Sequence, residues 1–242
     1  MFETCIFDLY GTLVDIKTDQ EDLVLWEKLT LFYNYYQAKY TPDELQKTYQ
    51  AVTKELMNGK HSLRNDTHES FPEIQIEEVF LKLFTLRGIN ADKTLVLHAG
   101  QFFRALSTKR LNLYPGTLQM LQALKKAGKK IYLLSNAQRI FTEYEMKSLG
   151  LYDCFEKIYL SSDYGCKKPD LCFFEQMLTE CNVDRKTAVM IGNDGICDIK
   201  GAKSAGLHTL YVHSNISPKE EFPDADYVLP EMDMKKIERI LL

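Results

Sequence analysis

The fold of this chain is predicted best from one stretch near its start, Cys5-Ile6-Phe7-Asp8-Leu9-Tyr10-Gly11-Thr12-Leu13. The apolar residues predict a short buried strand that ends at Asp8, after which Gly11 turns the chain and Thr12 adds a hydroxyl. The carboxylate of Asp8 is therefore expected at the carboxyl edge of a sheet. Open α/β sheets bind their ligands in the crevice outside this edge. The stretch thus predicts a ligand site beside Asp8.

The composition excludes several classes of protein. The 242 residues, 45% of them hydrophobic, are enough for one large domain or for a domain with an inserted module. The net charge of −4 argues against a nucleic-acid surface, which needs clustered Lys and Arg. No apolar run approaches the roughly 18 residues of a membrane helix, and no secretory signal is visible. We therefore expect neither nucleic acid nor a membrane as a partner.

The six cysteines indicate the redox environment in which the protein works. They form no Cys-x-x-Cys pair, and several lie in apolar runs. Small buried cysteines are typical of a reducing environment, so we expect a cytoplasmic protein. The sequence carries no signal for the oligomeric state.

The segment from about residue 19 to residue 107 is predicted to be helical. Apolar residues recur at helical spacing in four groups. The second group opens with Thr41-Pro42-Asp43-Glu44, a capping box with proline at the first helical position. The groups are Trp26, Leu29, Tyr33 and Tyr36; Leu45, Tyr49, Val52 and Leu56; Ile76, Val79, Phe80, Leu83 and Leu86; and Leu95, Ala99, Phe102, Phe103 and Leu106.

Two features of this helical segment bear on substrate binding. Its aromatic residues, among them Trp26, Tyr33, Tyr36 and Phe80, are predicted to pack in a core, since their spacing is helical. A polar loop over residues 60–70 contains candidates for substrate contact, although a solvated loop is the preferred interpretation. These candidates are His61, Arg64 and His68.

From Tyr114 onwards, helical and strand patterns alternate, which is typical of a parallel sheet. The predicted strands are residues 130–134, 158–160, 188–191, 209–212 and 226–229. The fold is therefore predicted to be α/β, a doubly wound parallel sheet with a four-helix cap domain inserted after the first strand. Residues 1–15 and 108–242 would form the Rossmann-like core, and residues 16–107 would form the cap.

Three of the later segments carry residues suited to phosphate chemistry. Ser135 and Asn136 end one strand before a helix, where a hydroxyl and helix amides form an anion site. Lys168 precedes another helix and offers a compact cation. Asp194 and Asp198, four residues apart after a strand, are suited to holding a hard cation. All three segments are expected to meet Asp8 at one edge of the sheet.

In order and type, these segments resemble the four motifs of the haloacid dehalogenase-like hydrolases, a superfamily dominated by phosphatases. The resemblance covers residues 4–14 and about 114–229. It implies that Asp8 is a nucleophile that forms a covalent aspartyl intermediate, and that Ser135 and Lys168 hold the transferred group. The implied catalytic set is Asp8, Tyr10, Ser135, Lys168 and Asp198. The implied substrate- or phosphate-binding set is Gly11, Thr12, Ser135, Asn136 and Lys168.

The resemblance also implies a magnesium site and a closing cap. Phosphatases of this family bind Mg²⁺ through three groups, which here would be Asp8, the Tyr10 carbonyl and Asp194. An alternative alignment of the last motif puts Asn193 in the place of Asp194. The amide oxygen of Asn193 is a neutral and weaker ligand for Mg²⁺, so Asp194 is the preferred candidate. The helical insert would close over the substrate and exclude water.

Tyr10 is the residue that departs from the phosphatase pattern. Phosphatases of the family have a second aspartate here, which protonates the leaving group and later activates water. A tyrosine, with an ordinary pKa near 10, is a poor base at neutral pH. The 2-haloacid dehalogenases of the superfamily do have tyrosine at this position, because a halide leaving group needs no proton.

The sequence therefore leaves three functional interpretations open. The favoured one is a Mg²⁺-dependent phosphatase that acts on a small phosphorylated metabolite. A metal-free 2-haloacid dehalogenase is the first alternative, but that branch uses an early cap arginine, and this chain has none before Arg64. Asp194 together with Asp198 also suits a cation better than a haloacid anion. The second alternative is a catalytically weak domain that binds a phospho-ligand or a protein partner. No residue pattern in the predicted cap identifies the substrate.

Overall fold

The computed structural model describes residues 2–59, 73–219 and 222–242. The strands are β1 (Thr4–Phe7), β2 (Val14–Thr18), β3 (Thr108–Leu113), β4 (Lys130–Ser135), β5 (Lys157–Leu160), β6 (Ala188–Gly192), β7 (His208–Val212) and β8 (Tyr227–Leu229). The helices are α1 (Leu23–Tyr35), α2 (Pro42–Gly59), α3 (Ile76–Thr85), α4 (Lys93–Ser107), α5 (Thr117–Lys126), α6 (Arg139–Ser148), α7 (Ser161–Tyr164), α8 (Leu171–Glu180), α9 (Gly201–Ser204) and α10 (Met234–Leu241). Single 3₁₀ turns at Tyr152–Cys154 and Arg185–Thr187 and a π-helical turn at Gly195–Lys200 complete the set.

β1 lies in the interior of a six-stranded parallel sheet with the order β5-β4-β1-β6-β7-β8. Phe7 is level with Leu133 of β4 on one side and with Ile191 of β6 on the other. The strands that follow β1 lie on both sides of it, so the strand order reverses there. The loops after β1, β4 and β6 therefore border one crevice. The prediction of a doubly wound α/β sheet is confirmed.

The sheet is buried on both faces by helices, which explains its continuous apolar strands. Every residue of β1 and β6 is buried. Phe7 packs into one apolar cluster with Leu121 of α5, whereas its neighbour Ile6 packs into another cluster with Phe174 of α8. Strands that are covered on both faces show apolar runs instead of alternation, and this is the signal that predicted them.

Helices α1 to α4 pack around an aromatic cluster, to which Ile140 of α6 also contributes. Trp26, Tyr33 and Phe80 are buried in it, as predicted, whereas Tyr36 is 36% exposed. The capping box at the start of α2 is also confirmed, because Glu44 Oε2 accepts a hydrogen bond from the Thr41 backbone N–H at 2.9 Å. The helical segment thus has its own core. The predicted loop candidates His61, Arg64 and His68 lie outside the described residues.

An antiparallel ribbon of β2 and β3 joins the helical segment to the sheet, and the sequence did not predict it. Val14 pairs with Leu113. Asp15 forms an ion pair with Arg110 across the ribbon at 2.7 Å. Polar residues interrupt both strands, so their pairing has no local signature. β2 runs across the predicted domain boundary at residue 15, and β3 begins just after the one at residue 107. The predicted division itself stays a prediction.

Two predictions concerned the environment of the protein, namely a reducing compartment and the absence of a membrane-spanning helix. None of the six cysteines, all of which fall in the described residues, forms a disulfide; Cys5 and Cys166 are buried, and the other four are partly exposed. Across residues 2–59, 73–219 and 222–242, no helix is both long and apolar enough to cross a membrane. The cytoplasmic location stays a prediction.

Candidate active site

Loops at the carboxyl edge of the sheet enclose a cavity of about 220 Å³. The side chains brought together there include all the acids and the lysine that the sequence predicted for the site, and they come from five separate segments of the chain. The described residues that line it are Asp8, Tyr10, Ser135, Asn136, Lys168, Asn193, Asp194, Cys197, Asp198, Ile216 and Pro218. The prediction that the strand ends converge is therefore confirmed.

Lys168 lies between two carboxylates, and only 1% of its surface is exposed. Its ammonium group donates to Asp8 Oδ1 at 2.9 Å and to Asp198 Oδ1 at 2.6 Å. A third hydrogen bond goes to the backbone carbonyl of Leu134 at 2.7 Å. An ammonium group has three donors, and here each has an acceptor. Lys168 is thus fixed in one orientation and in turn fixes Asp8.

Burial and the neighbouring charges shift the pKa values of Lys168 and Asp198 in opposite directions. Burial works to lower the pKa of Lys168, but Asp198 and Asp8 together raise that pKa above its ordinary range. Burial also raises the pKa of Asp198 from 3.8 to about 7, against the lowering effect of Lys168. Lys168 therefore stays charged at neutral pH, and Asp198 is the acid whose protonation changes near neutrality.

The two carboxylate oxygens of Asp8 are held unequally. Oδ1 accepts hydrogen bonds from Lys168 and from the hydroxyl of Ser135, the latter at 3.1 Å. In the described part of the chain, Oδ2 has a single and long hydrogen bond, from the Thr12 hydroxyl at 3.4 Å. Oδ2 is therefore the oxygen that is available to form a bond with a substrate.

Gly11 allows the loop after β1 to approach the loop after β6. Its φ of +88° lies in the left-handed region, and a Cβ atom there would come within 2.4 Å of Asn193 Nδ2. Asn193 Oδ1 accepts a hydrogen bond from Thr12 at 3.4 Å, so Thr12 contacts both Asp8 and Asn193. Gly11 thus provides space and Thr12 joins the two loops, while their contact with a phosphate group stays a prediction.

Asp194 and Asn193, the two candidates for a metal ligand in the last motif, are placed differently. Asn193 uses its amide oxygen on Thr12 and its amide nitrogen on Ser217, the latter at 3.3 Å. Asp194 Oδ1 accepts hydrogen bonds from the backbone N–H groups of Ile196 and Cys197 at 2.8 and 2.7 Å, which caps the π-helical turn. Both residues line the cavity, but Asn193 is hydrogen-bonded at both ends of its amide, whereas Asp194 offers a carboxylate.

Asn136 holds the segment that carries Lys168. Its side-chain amide donates to the Lys168 carbonyl and accepts from the Lys168 N–H, both at 2.8 Å. This pair of hydrogen bonds joins the end of β4 to the loop before α8. The position of the lysine therefore depends on Asn136, which the sequence predicted as part of the binding set.

The hydroxyl of Tyr10 is hydrogen-bonded to helix α6. It donates to Glu145 Oε2 at 2.5 Å and lies 3.0 Å from the Thr142 hydroxyl. Burial and the negative charge of Glu145 raise the pKa of Tyr10 far above its ordinary range. At neutral pH this hydroxyl is therefore protonated and serves as a hydrogen-bond donor to Glu145.

Sequence reasoning missed Glu145 and its partner Arg104. Glu145 is 4% exposed, and no sequence motif marked it as part of the site. The guanidinium of Arg104, on α4, donates to Glu145 Oε1 at 2.6 Å and to Oε2 at 3.3 Å. Tyr10 and Glu145 are 135 positions apart. The one available signal was a charged residue, Glu145, on the buried face of a helix. Such a signal does not identify the residues that bind it.

The chain is similar to known proteins over part of its length. The chain is 26% identical to mouse haloacid dehalogenase-like hydrolase domain-containing protein 3, over 65% of this chain and 67% of that protein. It is 32% identical to glyceraldehyde 3-phosphate phosphatase of Pyrococcus furiosus, over 49% of this chain and 50% of that one. The chain thus spans about half to two thirds of the length of these relatives.

Solved structures and a family model extend the similarity beyond these partial matches. The structure of 2-haloacid dehalogenase from Pseudomonas syringae pv. tomato superimposes with a TM-score of 0.64 at 21% identity, covering 100% of this chain and 98% of that one. At this identity the likeness concerns the fold alone. The family model for haloacid dehalogenase-like hydrolases matches residues 2–206. The chain therefore belongs to the haloacid dehalogenase-like hydrolases.

Proposed function

We propose that this hydrolase is a Mg²⁺-dependent phosphatase that cleaves small phosphorylated metabolites through an aspartyl-phosphate on Asp8. The observation that carries the proposal is the charge of the cavity. Three carboxylates line it, those of Asp8, Asp194 and Asp198, and Lys168 is the one basic side chain among its described lining residues. A phosphate monoester is itself an anion, so its entry requires a further cation. The phosphatase names of relatives such as the Pyrococcus furiosus protein support the same reaction class.

The size of the cavity supports a small reacting group. Its volume of about 220 Å³ is below the roughly 300–1,000 Å³ of pockets that enclose whole drug-sized ligands. A phosphoryl group and a few water molecules fit this space. The rest of the substrate would then lie outside it, so the neighbouring loops and the helical segment would select the substrate.

The donor set suits Mg²⁺, which prefers oxygen ligands and often takes one or two carboxylates together with substrate oxygens and water. Asp8 and Asp194 would supply the carboxylates, and the Tyr10 backbone carbonyl would supply a third oxygen. Within the described residues, no group of three or more His, Cys, Asp or Glu side chains forms a metal site by itself. When bound, the cation would neutralise charge that develops on the phosphoryl oxygens.

The residues of the cavity can perform a two-step displacement. Asp8 Oδ2 attacks phosphorus, and the bond to the leaving oxygen breaks with its electron pair on that oxygen. Lys168 and Ser135 hold Asp8 Oδ1 and so orient the attacking oxygen. Water then attacks the phosphorus of the aspartyl-phosphate, which releases inorganic phosphate and regenerates the Asp8 carboxylate. Release of halide from a haloacid without Mg²⁺ would instead support the dehalogenase alternative.

The first prediction concerns the metal. Asp194→Asn keeps an acceptor oxygen for the cap of the π-helical turn but removes the charge, so we expect half-maximal activity to need roughly tenfold or more Mg²⁺. Mg²⁺ titration of p-nitrophenyl phosphate hydrolysis measures this. Asp233→Asn is the matched control, because Asp233 also caps a helix through two backbone N–H groups. A larger effect of Asn193→Ala than of Asp194→Asn would show that the last motif is misaligned.

The second prediction concerns the leaving group. Because the Tyr10 hydroxyl is bound to Glu145, we expect aryl and acyl phosphates, whose leaving groups need little protonation, to react faster than sugar phosphates. Tyr10→Asp should raise the ratio of alkyl to aryl turnover by up to about 10²-fold. This ratio is insensitive to a general loss of folded enzyme. If the ratio is already high and does not rise, another residue supplies the proton, and His61 and His68 become the residues to test.

A further inference from the structure

We propose that Tyr10, Glu145 and Arg104 form a positioning relay that ties helix α4 to the loop carrying Asp8. The relay deepens the proposed function and rests on it, because it assigns these residues the task of holding Asp8 ready for attack. Tyr10 is two residues beyond Asp8, Glu145 is on α6, and Arg104 is on α4. The relay therefore joins the loop, the core and the helical segment in one hydrogen-bonded chain.

The contacts of the relay are short and directional. The Tyr10 hydroxyl donates to Glu145 Oε2 at 2.5 Å, and Arg104 Nε donates to Glu145 Oε1 at 2.6 Å. The guanidinium carbon of Arg104 also lies 5.7 Å from the centre of the Tyr10 ring and 5.2 Å from that of Phe141. Arg104 is thus hydrogen-bonded to the carboxylate that accepts from the Tyr10 hydroxyl and also lies beside the Tyr10 ring, so a movement of α4 would reach Tyr10 through both contacts.

Burial of the relay favours a specific geometry more than it favours stability. Glu145 is 4% exposed, and the side chain of Arg104 is 18% exposed. A buried ion pair often stabilises a protein no better than apolar residues of the same volume, because both charges lose their hydration. A buried ion pair does, however, fix the directions of its hydrogen bonds. This is the property that a positioning device needs.

The loop that receives this contact is tight, so a fixed Tyr10 side chain restricts its backbone. The Leu9 carbonyl accepts hydrogen bonds from the N–H groups of Leu13 and Val14 at 2.8 and 2.9 Å, and the N–H of Gly11 donates to the Val14 carbonyl at 2.8 Å. β2 begins at Val14, and its partner β3 follows α4 directly. The helical segment is therefore connected to the Asp8 loop through the ribbon and, independently, through the relay.

Tyr10→Phe tests the relay, since it removes only the hydroxyl and keeps the ring. With p-nitrophenyl phosphate and saturating Mg²⁺, we expect kcat to fall roughly 10- to 100-fold with little change in KM, as for a misplaced reacting group. Glu145→Gln should lower kcat similarly, and the double variant should be no worse than the poorer single variant, because both changes break one chain. Arg104→Lys should retain more activity than Arg104→Met.

A matched control and a second measurement separate positioning from general stability. Tyr33→Phe also removes one buried tyrosine hydroxyl, which donates to the Phe80 carbonyl at 3.2 Å, and should leave kcat unchanged. Hydrogen exchange of the peptide over residues 9–14 should accelerate in Tyr10→Phe and Glu145→Gln but not in Tyr33→Phe. This second measurement needs no substrate.

Two results would distinguish the failure of the relay from the failure of the proposed reaction. Wild-type kcat and wild-type exchange over residues 9–14 in Tyr10→Phe would overturn the relay, while an inactive Asp8→Asn would still support the nucleophile. Full activity of Asp8→Asn would overturn the proposed reaction instead. Faster exchange throughout the chain, at every peptide, would show that Tyr10 contributes only to overall stability and would equally overturn the relay.

Discussion

Asp8→Asn is expected to lower turnover of phosphate esters by roughly 10⁴-fold or more, because the amide has no nucleophilic carboxylate oxygen. The substitution preserves shape, and its amide oxygen can still accept the hydrogen bonds that Lys168 and Ser135 donate at 2.9 and 3.1 Å. We therefore expect the fold to persist. The steady-state rate with p-nitrophenyl phosphate and Mg²⁺, together with a thermal unfolding curve, measures both parts of this expectation.

A control at another aspartate separates the loss of chemistry from the loss of a charge. Asp163 forms an ion pair with Arg139 at 2.5 Å and does not line the cavity, so Asp163→Asn should keep the wild-type rate. Mass spectrometry of enzyme quenched during turnover should find phosphate on the peptide that contains Asp8. If Asp8→Asn retained near wild-type rates, the central assignment would be wrong.

Lys168→Met is expected to lower the free energy of unfolding by about 3–5 kcal/mol near pH 8, and to abolish activity. The methionine fills much of the same volume but leaves the carboxylates of Asp8 and Asp198 without their shared cation. Both are buried, at 8% and 1% exposure, so the charges are left uncompensated in the interior. Urea unfolding of the wild type and the variant measures the difference.

The loss of stability in Lys168→Met should be smaller at acidic pH than near pH 8. Burial already raises the pKa of Asp198 from 3.8 to about 7, and removal of Lys168 takes away the influence that lowers it. A folded-state pKa above the unfolded value means that the folded protein binds more protons in this window, so stability falls as pH rises through it. The variant should therefore recover part of its stability at about pH 5.5.

A double-mutant cycle identifies the source of the loss. Asp198→Asn removes one of the two uncompensated carboxylates, so Lys168→Met combined with Asp198→Asn should be less destabilised than the sum of the single variants. Strict additivity, or a loss that is the same at both pH values, would mean that Lys168 stabilises the protein by packing alone.

Local patterns in the sequence were sufficient to predict the strands of the six-stranded sheet, the helical segment and the edge of the sheet at which the polar residues gather. Apolar runs identified β1 and β6 because strands covered on both faces have no polar positions. Helical spacing identified the buried face of α1, including Trp26 and Tyr33. Polar residues that follow a buried strand must emerge at its carboxyl edge. For that reason the sequence alone places Asp8 and Ser135 at one edge of the sheet.

The tertiary structure alone determined which polar groups contact one another. Tyr10 stands where the phosphatases of the family have an acid–base aspartate, and its hydroxyl lies against Glu145, whose ion pair with Arg104 has no trace in the sequence pattern. Asn193 and Asp194 are adjacent and chemically similar, yet one binds Thr12 and Ser217 while the other caps a turn. The ribbon of β2 and β3 likewise depends on a partner far along the chain.

These outcomes differ because the underlying interactions differ in range. Burial of an apolar face produces a periodic pattern along a single helix or strand, so the sequence by itself determined the strands of the large sheet, the buried faces of the cap helices and the edge at which the polar residues emerge. A side-chain hydrogen bond requires two atoms to lie within about 3 Å at a suitable angle. That condition depends on how separate elements pack, so only the tertiary structure decided the partners of Tyr10, Asn193 and Lys168.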